Sequence, residues 1–149
     1  MKICLAGEGA MGFNHIKVLQ QLDDVEVVTL AGGVEEDAAA FAQAWEIPHY
    51  SLDLETCLNQ PEVEAVVLAT PNQVHAAQAE QALSMGKHVL VEIPMGLNLA
   101  EAEHLVDMEE KTGLVCMVCH SYRYSAPHRE IVRRVRTGEL HLHHIVQQT

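Results

Sequence analysis

Basic residues are scarce in this chain: nine Lys and Arg stand against 21 Asp and Glu, a formal net charge of −12 with His neutral. So acidic a balance argues against nucleic acid or an anionic membrane as the main partner. Long apolar runs are lacking as well. No stretch reaches the roughly 18 apolar residues that a membrane span needs, so no spanning helix is predicted. The opening Met1-Lys2-Ile3-Cys4-Leu5-Ala6 breaks at Gly7-Glu8, too early for the apolar core of a signal peptide, and the chain reads as cytoplasmic. Four cysteines are too few for a disulfide scaffold. Internal repeats and low-complexity linkers are missing. What remains is 48% hydrophobic and 20% charged over 149 residues, the composition of one globular domain.

Short apolar runs alternate with helical periodicity. Strands are predicted over residues 3–6, 25–30, 49–50, 63–69, 88–91 and 114–118. Helices are predicted over 11–22, 35–45, 54–59, 74–85, 98–112 and 127–137. In the first helix Met11, His15, Val18, Leu19 and Leu22 fall at helical spacing. In the second, Ala38, Phe41, Ala42 and Trp45 form the face expected to bury in the core. Asp53 is placed to cap the third helix, and Asn98 with Glu101 resembles a capping box. Gly86, Gly113 and Gly138 stand where helices should stop. Alternation of this kind implies βαβ units, and strands that are apolar throughout imply that both sheet faces are covered. The fold class is therefore α/β: a Rossmann-type, doubly wound, mainly parallel sheet with helices on both faces. Residues 1–140 form the domain. The tail, 141–149, looks like the stub of one more strand with nothing after it to pair with, as though the chain were cut short.

Gly7-Glu8-Gly9-Ala10-Met11-Gly12 is G-x-G-x-x-G, placed directly after the first strand and at the opening of the first helix. In that context it reads as a dinucleotide-binding loop. Gly7 permits the tight turn, Gly9 lets a pyrophosphate approach the backbone, and Gly12 lets helix and strand pack closely. The start of the helix, at Ala10 and Met11, then offers free N–H groups and a positive dipole end. The bland alternative is a tight turn with no ligand. S-adenosylmethionine binding also uses a glycine loop after the first strand, and position alone does not separate the two. The second strand ends Leu30-Ala31-Gly32-Gly33, so neither an acid nor an Arg stands at its end to read the adenine ribose. Glu35 and Glu36 lie just beyond and would repel a 2′-phosphate, which leans the cofactor toward NAD over NADP. Equally, those acids suit the start of the next helix.

Three further segments converge: Ala69-Thr70-Pro71-Asn72-Gln73-Val74-His75, then Gly86-Lys87-His88-Val89-Leu90-Val91-Glu92-Ile93-Pro94, then Tyr122-Arg123-Tyr124. With the glycine loop they resemble the nucleotide-binding half of the glucose–fructose oxidoreductase/inositol dehydrogenase family, over nearly the whole chain. That resemblance disfavours the methyltransferase reading. It implies an NAD- or NADP-dependent dehydrogenase that moves hydride from a hydroxyl or hemiacetal carbon of a small substrate. It implies that Gly32 and Gly33 border the cofactor, and that Thr70, Pro71, Asn72, His75, Glu92 and Pro94 shape its nicotinamide side. Glu92, His120 and Arg123 are the residues it points toward substrate, and Arg123 has the forked donor that suits a carboxylate. The catalytic base is not among the residues it identifies. The family's usual Glu-Lys-Pro is Glu92-Ile93-Pro94 here, and Ile93 cannot move a proton. One branch of the family also lacks that Lys and oxidises the cyclic hemiacetal of a dicarboxylic aromatic catabolite. Residues 113–118, His120, 138–140 and Gln148-Thr149 are similar to that branch. Three features depart from it: Cys119, where the branch carries Gly; Pro127, displaced by one position; and Gly32-Gly33, where the branch carries polar and basic residues that suit NADP. Family members also have a second domain that supplies the substrate pocket and most of the oligomer interface. The expectation is then a cofactor half that binds dinucleotide without turnover, with a homo-oligomer contact through 142–149. The rival reading is a non-catalytic dinucleotide-binding or interaction module.

Several motifs are read as decoys. Cys116-Met117-Val118-Cys119-His120 matches the haem-attachment pattern C-x-x-C-H, but it lies inside a strand whose alternation sends the two thiols to opposite faces. His141 and His143 could share one strand face, beside His144, and pick up a metal adventitiously, but no functional metal site is expected. Arg129, Arg133, Arg134 and Arg136 load one helix and read as a solvated face.

Overall fold

In the computed structural model, residues 1–144 and 146 are described. The chain divides into two compact units, Met1–Cys119 and His120–Thr149. The first holds six strands: β1 (Lys2–Ala6), β2 (Glu26–Ala31), β3 (His49–Ser51), β4 (Val63–Leu68), β5 (His88–Val91) and β6 (Cys116–Val118). Every neighbouring pair is parallel, in the order β3-β2-β1-β4-β5-β6. This is the doubly wound order whose direction of winding reverses between β1 and β4. The intervening helices are α1 (Ala10–Leu19), α2 (Glu35–Ala44), α3 (Leu54–Leu58), α4 (His75–Ser84) and α5 (Leu99–Thr112).

Strand alternation builds two cores. Cys4, Ala6, Val66, Leu68, Val89 and Val91 face α3, α4 and α5, where Leu58, Leu83 and Leu105 meet them. Ile3, Leu5, Leu30, Ala65 and Val67 face the opposite way, toward Ile16 of α1 and Ala38 and Ala42 of α2. Phe41 and Trp45 pack against this second cluster. Each fully buried Leu contributes about 1.5–3 kcal/mol relative to an exposed one.

The helix punctuation follows the sequence. The Asp53 carboxylate accepts from the Thr56 N–H at 2.9 Å. Asn98 accepts from the Glu101 N–H at 3.0 Å, and Glu101 accepts in return from the Asn98 amide at 2.8 Å. Gly86 and Gly113 leave their helices with φ of 76° and 68°. The face of α1 matches the expected one in part: His15 and Leu19 are half-buried, and Leu19 packs against the second core. Met11, Val18 and Leu22 are exposed, and the residues that bury are Gly12 and Ile16. Gly12 has no side chain to register in a periodicity count, yet it is where the helix meets the Gly7 turn.

The second unit opens with a 3-10 turn at Ser121–Tyr124, followed by α6 (Ala126–Arg136) and the stop at Gly138, whose φ is 75°. Arg133 bridges Glu130 and Glu139, and Arg134 also reaches Glu130, all on exposed positions. These pairs hold the Glu130 carboxyl down at about 2, Arg133 being the larger cause. The tail strand expected over 142–149 is not formed at Leu142, His143, His144 or Val146. A strand needs a neighbour to bond to, and among the described residues this unit has no other. Residues 145 and 147–149 of that expectation lie outside the described residues. No helix among the described residues is long and apolar enough to cross a membrane.

Candidate dinucleotide site

The carboxyl ends of β1, β2 and β4 frame an open cleft of about 420 Å³ at the point where the strand order reverses. Gly7, Gly9, Gly32, Gly33, Thr70 and Pro71 line it, and so does Glu8. Its three loop glycines differ in what they make room for. Gly7 has φ +102°, and a Cβ there would stand 2.5 Å from the Ala69 carbonyl oxygen. A Cβ on Gly12 would stand 1.9 Å from the Gly7 carbonyl oxygen. Both glycines are therefore required by the fold itself. A Cβ on Gly9 would meet nothing within 4 Å. At Gly9 the backbone is bare toward the cleft although the protein does not need it to be.

Beyond Gly9, the first turn of α1 carries no side-chain cap and no acidic residue. Its leading N–H groups, around Ala10 and Met11, lack intrahelical partners, and the dipole end is positive. The start of α2 is provisioned the other way. Glu8 extends from the glycine loop to the β2–α2 turn. Its Oε1 accepts from the Gly33 N–H at 2.9 Å and from the Val34 N–H at 3.1 Å, and its Oε2 accepts from Gly33 at 3.1 Å. Glu35 and Glu36, expected either to repel a 2′-phosphate or to suit the start of the next helix, are not among the cleft residues and stand in the first turn of α2. The Glu35 carboxylate instead accepts from the Tyr50 hydroxyl at 3.0 Å and holds that phenol above its usual value.

The opposite wall follows the end of β4, at Ala69, Thr70, Pro71, Val74 and Gln78. Thr70 donates to Gln78 Oε1 at 2.5 Å, while Asn72 opens an exposed 3-10 turn. His75 is fully buried. Its Nε2 lies 2.8 Å from the Thr70 carbonyl oxygen and its Nδ1 lies 2.8 Å from that of Pro94. The ring thus sits between the two turns with both nitrogens turned to carbonyl oxygens, its one N–H in the neutral form donating to one of them, and it offers no free nitrogen to a ligand. The Ile93–Pro94 peptide is cis. Glu92, at the end of β5, is buried and pairs with His15 of α1 at 2.7 Å, while Ile93 N–H donates to its other oxygen at 3.3 Å. Cys119 completes a group whose donor atoms lie within 4.8 Å of one another. Burial, and then the Glu92 carboxylate, push its thiol up to about 11. Within this group the His15–Glu92 contact ties α1 to the end of β5. Burial likewise pushes Cys116 up to about 11, so neither thiol of the C-x-x-C-H run is activated.

In the second unit His120 and Arg123 are both exposed. They bracket the start of the 3-10 turn, with Arg123 N–H donating to the His120 carbonyl at 3.0 Å. Arg123 lines a separate open cleft of about 490 Å³ with His128, Arg129, Arg133 and Arg136.

Sequence reasoning missed Glu8, His15 and Gln78 as site residues. Glu8 stood as a variable position in the glycine pattern, and His15 as one more residue on a helix face. The acid inside the loop was the available signal, since the second strand ended on glycines where an acid was sought.

A parallel sheet in this order, carrying a glycine turn at its reversal point, defines a Rossmann-type nucleotide-binding domain. Residues 1–120 match the Gfo/Idh/MocA profile, an oxidoreductase family with an NAD-binding Rossmann fold. The chain belongs to that family. It is 40% identical over 149 residues to 4-carboxy-2-hydroxymuconate-6-semialdehyde dehydrogenase of Sphingobium sp. SYK-6, covering 47% of that protein. A biliverdin reductase from Synechocystis sp. PCC 6803, solved with biliverdin and NADP+, matches with a TM-score of 0.81 and 27% identity, across 91% of this chain and 42% of its own. Scyllo-inositol dehydrogenase of Lactobacillus casei, solved with NAD(H) and scyllo-inositol, shares the fold at a TM-score of 0.87 and 22% identity, across 93% of this chain and 42% of its own. The chain spans less than half the length of these relatives.

Proposed function

We propose that this chain is the dinucleotide-binding part of an NAD- or NADP-dependent dehydrogenase acting on the hydroxyl or hemiacetal carbon of a small carboxylated substrate. The observation that carries the reading is the bare backbone at Gly9 beside the uncapped start of α1. Open space there serves no packing need, and it faces a cleft at the reversal point of the sheet. A pyrophosphate is the group such a place accepts, through backbone N–H donors and the helix dipole. The residues fit a nicotinamide dinucleotide: Gly7, Gly9 and Gly12 with the N–H groups of Ala10 and Met11 would hold the pyrophosphate. Gly32 and Gly33 would border the adenosine half. Thr70, Pro71 and Asn72 would face the nicotinamide half, with Pro94 at its margin. His75 and Glu92 act as positioning residues, holding those turns through the Thr70 and Pro94 carbonyls and through His15. When bound, the nicotinamide supplies the hydride acceptor.

The substrate class rests on the 40% identical relative, whose name describes a carboxylated semialdehyde. His120 and Arg123 are the proposed substrate-side residues, Arg123 as a carboxylate fork. We assign turnover to a longer protein, because hydride transfer needs a substrate held at near-attack distance and this chain spans 47% of that relative. Calorimetric titration of the chain with NADH and with NADPH tests the reading. Saturable binding of at least one, without turnover by the chain alone, is the expected result. Failure of both to bind overturns it.

A further inference from the structure

We infer that Glu8, from inside the glycine loop, is the residue that selects NAD(H) over NADP(H). The inference rests on the dinucleotide reading above. In Rossmann domains an acid at the end of the second strand reads the adenine ribose 2′-hydroxyl, and an Arg nearby accommodates a 2′-phosphate. Here the second strand runs out into Ala31-Gly32-Gly33, which supplies neither. Gly32 has no room for a side chain: a Cβ would stand 2.4 Å from the Ala38 Cβ. The carboxylate arrives instead from the first loop. It is fixed by the Gly33 and Val34 N–H groups at 2.9 and 3.1 Å and lies on the lining of the same cleft as Gly7, Gly9, Gly32 and Gly33.

Two consequences follow from elementary electrostatics. A carboxylate has about four lone-pair sites, so the backbone bonds leave capacity to accept from ribose hydroxyls. Those same N–H groups are the donors a 2′-phosphate would need at the start of α2, and Glu8 already occupies them. The phosphate would then meet a fixed negative charge with no compensating cation: no Lys or Arg lines the cleft. Glu35, Glu36 and Asp37, in the first turn of α2, are outside the lining, which leaves Glu8 as its one carboxylate among the described residues. Like charges a few ångströms apart at a partly exposed site are expected to disfavour NADPH by about tenfold or more.

Calorimetric titration of the 149-residue chain and of Glu8→Gln and Glu8→Ala with NADH and NADPH tests this. The native chain is expected to bind NADH about tenfold or more tightly than NADPH. Glu8→Gln removes the charge and keeps the acceptor oxygen, so it should recover most of the NADPH affinity with NADH changed less than about threefold. Glu8→Ala should lose NADH affinity as well, by removing the ribose acceptor. Thermal unfolding of each variant reports whether the fold is retained. Equal affinity of the native chain for both dinucleotides, or an unchanged ratio in folded Glu8→Gln, overturns the role of Glu8 and leaves the dinucleotide reading standing. Binding of neither dinucleotide overturns both.

Discussion

Helices α1 and α2 begin at the rim of the same cleft, and both point a positive dipole end toward it. At α1 the first turn is bare: no cap, no acid, a glycine with open space above it. At α2 the first turn holds Glu35, Glu36 and Asp37, and a fourth carboxylate, Glu8, sits on the two N–H groups that precede it. One end is left for an anion from outside, and the other is filled from within. Two helix starts of the same kind are thus given different tasks by where the chain places its carboxylates. The backbone geometry alone would not distinguish them.

The contrast can be broken hardest at Gly12. Gly12→Ala places a Cβ 1.9 Å from the Gly7 carbonyl oxygen, a backbone atom with little freedom to move, so α1 must shift away from the glycine turn. A loss of about 4 kcal/mol or more in thermal or urea unfolding is expected, and an unchanged midpoint would contradict the packing described here. Gly9→Asp would make the two ends alike by giving α1 its own acid. Because a Cβ at position 9 meets nothing within 4 Å, stability should change by less than about 1 kcal/mol. Dinucleotide affinity, in contrast, should fall about 100-fold or more. His15→Ala strips the buried Glu92 carboxylate of its 2.7 Å partner and loosens α1 from β5. It should cost about 1–3 kcal/mol in unfolding experiments, and His15→Gln less. The smallest effect is expected from Glu35→Gln. The ratio of NADH to NADPH affinity should move less than about twofold, since that carboxylate is engaged with Tyr50. Ultraviolet titration should then show the Tyr50 phenol falling back toward its usual value, because Glu35 is what raises it.

The elements of the fold were legible where the signal is local. The Asp53 cap, the Asn98–Glu101 box and the Gly86, Gly113 and Gly138 stops each lie within a few residues of what they terminate, and each stands where the pattern placed it. The buried face of α1 was legible only in part: Leu19 falls on it, but Gly12, which meets the Gly7 turn, has no side chain for a periodicity count to register. The site divides along the same line. The glycine loop is contiguous and could be read. The bond from Glu8 to Gly33 spans 25 positions and that from His15 to Glu92 spans 77. Such contacts exist only once the parallel sheet has brought its loops to one edge. Glu8 and His15 carried no mark in the sequence beyond their chemistry.

The contact between Gly32 and Ala38 also governs how this cleft could be retooled, by selection or by design. A turn that welcomes a phosphorylated ribose needs a cation, and position 32 admits none unless Ala38 is first made smaller, since the two would meet at 2.4 Å. Position 33 faces only the Glu8 carboxylate, at 3.6 Å, and carries no such block. An Arg there while Glu8 remains would be captured by that carboxylate as an ion pair. The order of steps is therefore constrained: Glu8 has to go before a cation at 33 can be useful. Each intermediate along that path can be made and its dinucleotide preference measured.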